Sequence, residues 1–240
     1  MTADSSAYRL QTDVAAHAAT DARLAFIRKT YMHLLGAIFG FVVLLTLAYQ
    51  MGLARQLVEM IAPYRWGWLI VLGLFMAASY VADRWAAPGR STPSQYAGLA
   101  LLVAAEALIF SPLLFYVLEY GPPQVLPKAA IITLAVFTGL TMVVFFTGKD
   151  FSFLGPILSI AGFAAMALIG TSILFGFQLG DLFIIVMIVF ASGAVLYSTS
   201  NVLNKYPVGS HVAAALSLFA GIALLFYYII LAVLSLSGSD

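Results

Sequence analysis

Seven long apolar runs, separated by short polar breaks, make up nearly all of the chain. They fall at roughly 31–51, 67–83, 96–118, 129–147, 153–177, 182–199 and 212–236, each near the length that crosses about 30 Å of hydrocarbon. None of them alternates apolar and polar residues in the way a membrane barrel strand does. A backbone in lipid has to satisfy its own N–H and C=O groups, so the runs predict helices. The fold class that follows is all-α, a polytopic seven-helix membrane bundle. The breaks are short, which leaves no room between spans for a second, soluble domain.

Composition agrees with this pattern. Hydrophobic residues make up 63% of the 240 positions and charged residues only 9%. A soluble domain carries about 25% charged residues, so this chain lacks the means to cover a globular surface. Its partner is a lipid bilayer. A net charge of +1 offers no polybasic face for nucleic acid. No cysteine is present, which removes disulfides and thiolate metal sites.

Residues 1–25 differ from the rest. They are polar and Ala-rich, carry Asp4, Asp13, Asp21, Arg9 and Arg23, and lack the apolar core and cleavage site of a signal peptide. They are expected to form a polar cytoplasmic tail, with residues 26–240 as the transmembrane domain. From Val14 an amphipathic helix leading to Phe26 and Ile27 is the other reading.

Charge placement sets the orientation. Of the 11 Lys and Arg residues, Arg9, Arg23, Arg28, Lys29, Arg84, Arg90, Lys149 and Lys205 fall on the N-terminal side. Arg55, Arg65 and Lys128 fall on the other. This bias predicts a cytoplasmic N-terminus and, with seven spans, an external C-terminus. Trp66, Trp68 and Trp85 bracket the second span as interfacial anchors do. Gly36 and Gly40 form a small-residue pair, and Gly155, Gly162 and Gly170 recur in the fifth span; both patterns predict close helix packing.

Few residues in the spans can carry chemistry. Glu106 lies near the middle of the third span. A charge there costs about 2.5–3.5 kcal/mol on the insertion scale for Asp, Lys and Arg, so it is either a proton or cation site or a neutral acid bonded to a neighbouring helix. Pro112, beyond Glu106, is expected to kink that span. Ser198 and Asn201 share a face at the end of the sixth span. They either line a water-filled vestibule or cap the helix. Asp83 and Arg84 read as interfacial, and His33 as an interfacial hydrogen-bonding residue. The three histidines, 17, 33 and 211, are too scattered in sequence to suggest a metal site. Neither a phosphate-binding glycine loop, nor a zinc-protease motif, nor a nucleophile elbow occurs, so no enzyme and no cofactor is expected.

Three segments carry a family resemblance: FIRKTYMHLLG at 26–36, GKDFSFLGPIL at 148–158 and SGAVLYSTSNVL at 192–203. Together, and with the seven-span layout, they resemble the Bax inhibitor-1 family. The most specific run is Lys149, Asp150, Phe151, Ser152, Phe153, Leu154 and Gly155. The resemblance implies six helices around a central seventh. It also implies a pH-sensitive calcium leak channel, or a regulator that binds other membrane proteins such as a quality-control protease. The family's pH sensor is a pair of aspartates, whose positions correspond here to Ser198 and Gly221. Neither can ionise, which leaves Glu106 as the deep acid able to exchange protons. A bacterial inner membrane is the expected location.

Overall fold

The structure, a computed structural model, describes residues 14–64 and 66–237. Eight helices account for most of them: α1 (Thr20–Gln50), α2 (Leu53–Ile61), α3 (Gly67–Ala86), α4 (Thr92–Tyr120), α5 (Val125–Thr147), α6 (Leu154–Phe175), α7 (Gly180–Asn204) and α8 (His211–Ser237). Seven are long and apolar enough to cross a membrane, and they match the seven runs in order.

The last helix is the centre. In the most apolar part of α8, 61% of residues are buried, against 6–39% in the other six spans, so α8 is sheathed by protein while the others face lipid on one side. It packs against α1, α3, α4, α5 and α7. Its Phe219 meets Phe41 of α1 edge-on at 5.8 Å, and Phe226 stacks on Phe110 of α4 at 5.9 Å. Helix α6 sits outermost, leaning on α7 and touching α3. Large apolar side chains such as Phe146, Phe163 and Leu182 point outward, as lipid-facing residues do.

Three differences from the sequence reading have physical causes. Helix α1 begins at Thr20, inside the expected tail. At 31 residues it is about 46 Å long, so its basic first turns project beyond the hydrocarbon. The connection between the first two spans contains α2. Its Arg55–Glu59 pair, at 2.8 Å, is exposed on both sides and contributes little, while Ala54 and Ile61 are buried. The apolar spacing of Leu53, Leu57 and Ile61 was the available signal for this element. Third, Gly36 meets nothing within 4 Å, and Gly40 meets only Val103, at 3.8 Å. The tight crossing is instead at Gly98 of α4, where an added Cβ would stand 2.5 Å from the Ala82 carbonyl of α3. Gly162 meets Phe190 at 3.5 Å, whereas Gly170 is open.

Helix ends follow local chemistry. Gly148 and Gly176 adopt φ of 60° and 74° and close α5 and α6 in the left-handed conformation that glycine takes without a Cβ penalty. Helix α4 runs unbroken through Pro112, where Ser111 Oγ donates to the Ala107 carbonyl at 2.7 Å. Of the expected tail, residues 1–13 lie outside the described residues. Residues 14–18 are not a free tail: the Ala15 N–H donates to the Tyr206 carbonyl at 3.0 Å, and Ala15 is fully buried.

Candidate functional site

A cavity of about 490 Å³ lies between α3, α7 and α8, at the end of the bundle that holds the N-terminal segment. Its polar wall is made by Asp83 of α3, Ser198 of α7, Ser217 of α8 and Tyr206 of the α7–α8 connection; Ala213 and Gly221 of α8 complete the floor. Ser217 Oγ donates to Ser198 Oγ at 2.9 Å, so two hydroxyls bridge the central helix to α7. Ser217 lies one turn before Gly221 on α8. The residue that faces Ser198 is therefore Ser217. A Cβ at Gly221 would meet Val195 at 3.3 Å, so that glycine serves the close approach of α7.

Tyr206 and Pro88 line both this cavity and a second one of about 350 Å³, whose wall also holds Ser152, Tyr197, Asn201 and Lys205. Burial pushes the Tyr206 phenol above its ordinary pKa. The facing Ser217 hydroxyl opposes that push, and the Asp83 charge adds to it. The phenol thus stays neutral as a hydrogen-bonding group on the wall of both spaces. Ser198 and Asn201 lie three residues apart on α7 and line neighbouring cavities. Asn201 does cap as well, through its backbone: its carbonyl accepts from the N–H groups of Lys205 and Tyr206 at 2.8 and 3.0 Å.

The run from Lys149 to Gly155 is a latch beside the second cavity. Asp150 Oδ1 accepts the Ser152 N–H at 2.8 Å, forming a local turn. The Phe151 N–H donates to Ser200 Oγ of α7 at 2.8 Å, and Ser200 Oγ reaches Asp150 Oδ1 at 3.4 Å. Asn204 Nδ2 donates to the same Ser200 Oγ at 3.4 Å. The Ser152 N–H and hydroxyl hold the Asp150 carboxyl below its ordinary range, helped by Lys205 and Ser200. Gly155 lets the Tyr197 ring approach closely, since a Cβ there would stand 3.0 Å from it. Lys149 is exposed, and Phe153 is 62% exposed, with its ring 6.3 Å from Phe151. Leu154 opens α6.

Glu106 stands apart. It is 7% exposed on the inward stripe of α4, between Val103 and Phe110, and lines neither cavity. Its carboxyl has no hydrogen-bond or ion-pair partner among the described residues. The structure does not bring Glu106 to Ser198 or Asn201. Asp83, expected at the interface, faces the cavity instead. Asp83, Ser217 and Tyr206 were missed as site residues; the available signal was that Asp83 lies one turn from the polar end of its span. Among the described residues no group of three or more His, Cys, Asp or Glu side chains is placed to hold a metal ion.

Comparison with known proteins bears on what this arrangement does. Residues 23–238 match the family described as inhibitor of apoptosis-promoting Bax1. The chain is similar to Bax inhibitor 1 of Schizosaccharomyces pombe, with 27% identity over 240 residues that cover 95% of this chain and 83% of the yeast protein. No solved structure matches it.

Proposed function

Because the chain belongs to the Bax inhibitor-1 family, we propose that this multi-pass membrane protein is a proton-sensitive cation leak whose path runs through the two cavities that share Tyr206. The observation that carries this is the polar wall of the larger cavity, where Asp83 of α3, Ser198 of α7 and Tyr206 of the α7–α8 connection gather around Ser217 of the central helix. Carboxylate and hydroxyl oxygens are ligands for hard cations. With a single carboxylate, the wall holds calcium weakly, since dedicated calcium sites use six to eight oxygens with several charges among them. Weak binding suits a leak, which has to release what it admits. Glu106, sealed in α4, is the candidate proton-exchanging group.

The Lys and Arg bias supports a cytoplasmic N-terminus, which puts both cavities at the cytoplasmic side. A bacterial inner membrane is the location we favour. The second reading is a non-transporting regulator that binds other membrane proteins, such as a quality-control protease. It draws support from the absence of a carboxylate pair at Ser198 and Gly221.

The test is flux of calcium and of sodium into liposomes holding the purified full-length protein, between about pH 6 and pH 8. Asp83→Asn is expected to lower cation flux by about tenfold, and Glu106→Gln to flatten its pH dependence. Flux untouched by Asp83→Asn removes the cavity as the path. No flux at any pH, from folded protein, favours the regulator.

A further inference from the structure

His33 and His211 are 178 positions apart in sequence, yet their rings lie 4.7 Å apart between centroids, inclined at 57°. His33 belongs to α1, and His211 is the first residue of the central helix α8. Both are half-buried at the end of the bundle that carries the cavities.

The tautomer of the neutral His33 ring follows from its partners. Its Nδ1 lies 2.7 Å from the Lys29 carbonyl oxygen, which only accepts, so Nδ1 carries the hydrogen. Its Nε2 lies 2.6 Å from the Tyr96 hydroxyl of α4. In the neutral ring Nε2 accepts from that phenol. A second proton on Nε2 reverses the bond and makes the ring a cation. The charges around the pair are one-sided. From α1, Lys29 acts on His211 as well as flanking His33; from α4 the facing group is the neutral Tyr96; from the α7–α8 connection it is the Gly209 backbone. Among the described residues no carboxylate acts on His211. The amino end of α8 adds a positive dipole end at His211. Two imidazolium rings at this separation therefore repel, and no described carboxylate offsets it.

We infer that His33 and His211 form a proton-operated latch between α1 and the head of the central helix, closed when neutral and parted by acid, which sets the position of Tyr206 on the wall of the two cavities. The connection that transmits the movement is short and tied. The Ser210 N–H donates to the Pro207 carbonyl at 2.9 Å, the Ala214 N–H to Ser210 at 3.0 Å, and the Tyr206 N–H to Asn201 at 3.0 Å. The first two bonds tie residues 207–210 to the head of α8, so a displaced His211 pulls on Tyr206 against its anchor on α7. The latch stands on its own geometry; only its effect on flux rests on the leak reading.

The chain has no cysteine, so single labels can be placed cleanly. Arg28→Cys on α1 and Gly209→Cys in the connection, both exposed sites, take spin labels on the full-length protein in nanodiscs. The distance between them is measured by electron paramagnetic resonance at about pH 8 and about pH 5. The expected result is a lengthening of about 2 Å on acidification. It is lost in His33→Gln/His211→Gln and at least halved in His211→Gln alone, which keeps the test open if the double variant does not fold. An unchanged distance in the otherwise wild-type protein overturns the latch, as does an equal change in the variants. In liposomes, the ratio of flux at low and high pH is expected to fall about fivefold in His211→Gln. A distance change without any flux leaves the latch standing and removes the leak reading instead.

Discussion

Gly98 offers a sharp test of how packing on α4 sets the cavity wall. Gly98→Ala adds one carbon at the α3–α4 crossing. That carbon would lie 2.5 Å from the Ala82 carbonyl oxygen, 2.8 Å from the Ala86 nitrogen and 3.1 Å from the Ala86 Cβ. Ordinary contact begins near 3.4 Å, and two of these atoms are backbone, so no side chain can swing aside. Helix α3 has to retreat by about 1 Å in an interior packed like a crystal. Overpacking of this kind costs about 1–3 kcal/mol. For a chain of this size each kcal/mol shifts Tm by about 2–4 °C, so Tm should drop by roughly 2–12 °C. The assay is thermal unfolding in detergent, followed by tryptophan fluorescence, with Trp85 sitting on α3 beside the crossing. Gly170→Ala is the control. It meets nothing within 4 Å, and replacing a helical glycine by alanine there should stabilise by about 0.4–1 kcal/mol. Because Asp83 follows Ala82, the same retreat moves the cavity wall, and Gly98→Ala should also change cation flux. Equal Tm values for wild type and Gly98→Ala would refute the reasoning, since the crossing would then be looser than its geometry implies.

Two further predictions concern the polar residues around the cavities. Ser217→Ala leaves the buried Ser198 hydroxyl without its donor and should cost about 1–3 kcal/mol, whereas the double change to alanine should cost less than the sum; unfolding midpoints of the two singles and the double decide this. Asp150 has a folded pKa below its unfolded value, so its contribution is present above about pH 4 and is lost as the pH falls through the folded value. The protection of residues 150–153 from hydrogen exchange, taken relative to the intrinsic rate at each pH, should therefore fall in acid in the wild type, and should be low already at neutral pH, with no acid step, in Asp150→Ala.

The number of spans, their order and their helical nature were legible without any structure. Twenty apolar residues in lipid have no way to satisfy their backbone except as a helix, so length and composition decide the element. The charge bias gave an orientation on similarly local grounds. The Lys149–Gly155 run was visible as a motif, but its role was not. Its Asp150 turn is local; its bond to Ser200 spans 49 positions and depends on α7 returning to the same end of the bundle.

Tertiary structure decided which faces meet. In a soluble helix an apolar stripe marks the buried side. Here the lipid-facing side is equally apolar, so the pattern along a span does not say which residues look inward. That is why Gly36 read as a packing site although it meets nothing, while Gly98 makes the tight crossing. The same blindness hid Ser217 opposite Ser198 and Asp83 on the cavity wall. It also hid His33 against His211, since two lone histidines at the ends of different spans have no local feature that links them. The sequence by itself determined a seven-helix membrane bundle, because the bilayer imposes that from composition alone. The packing of α8 among its neighbours decided everything that could act as a site, because only contacts between helices bring the few polar side chains into one another's reach.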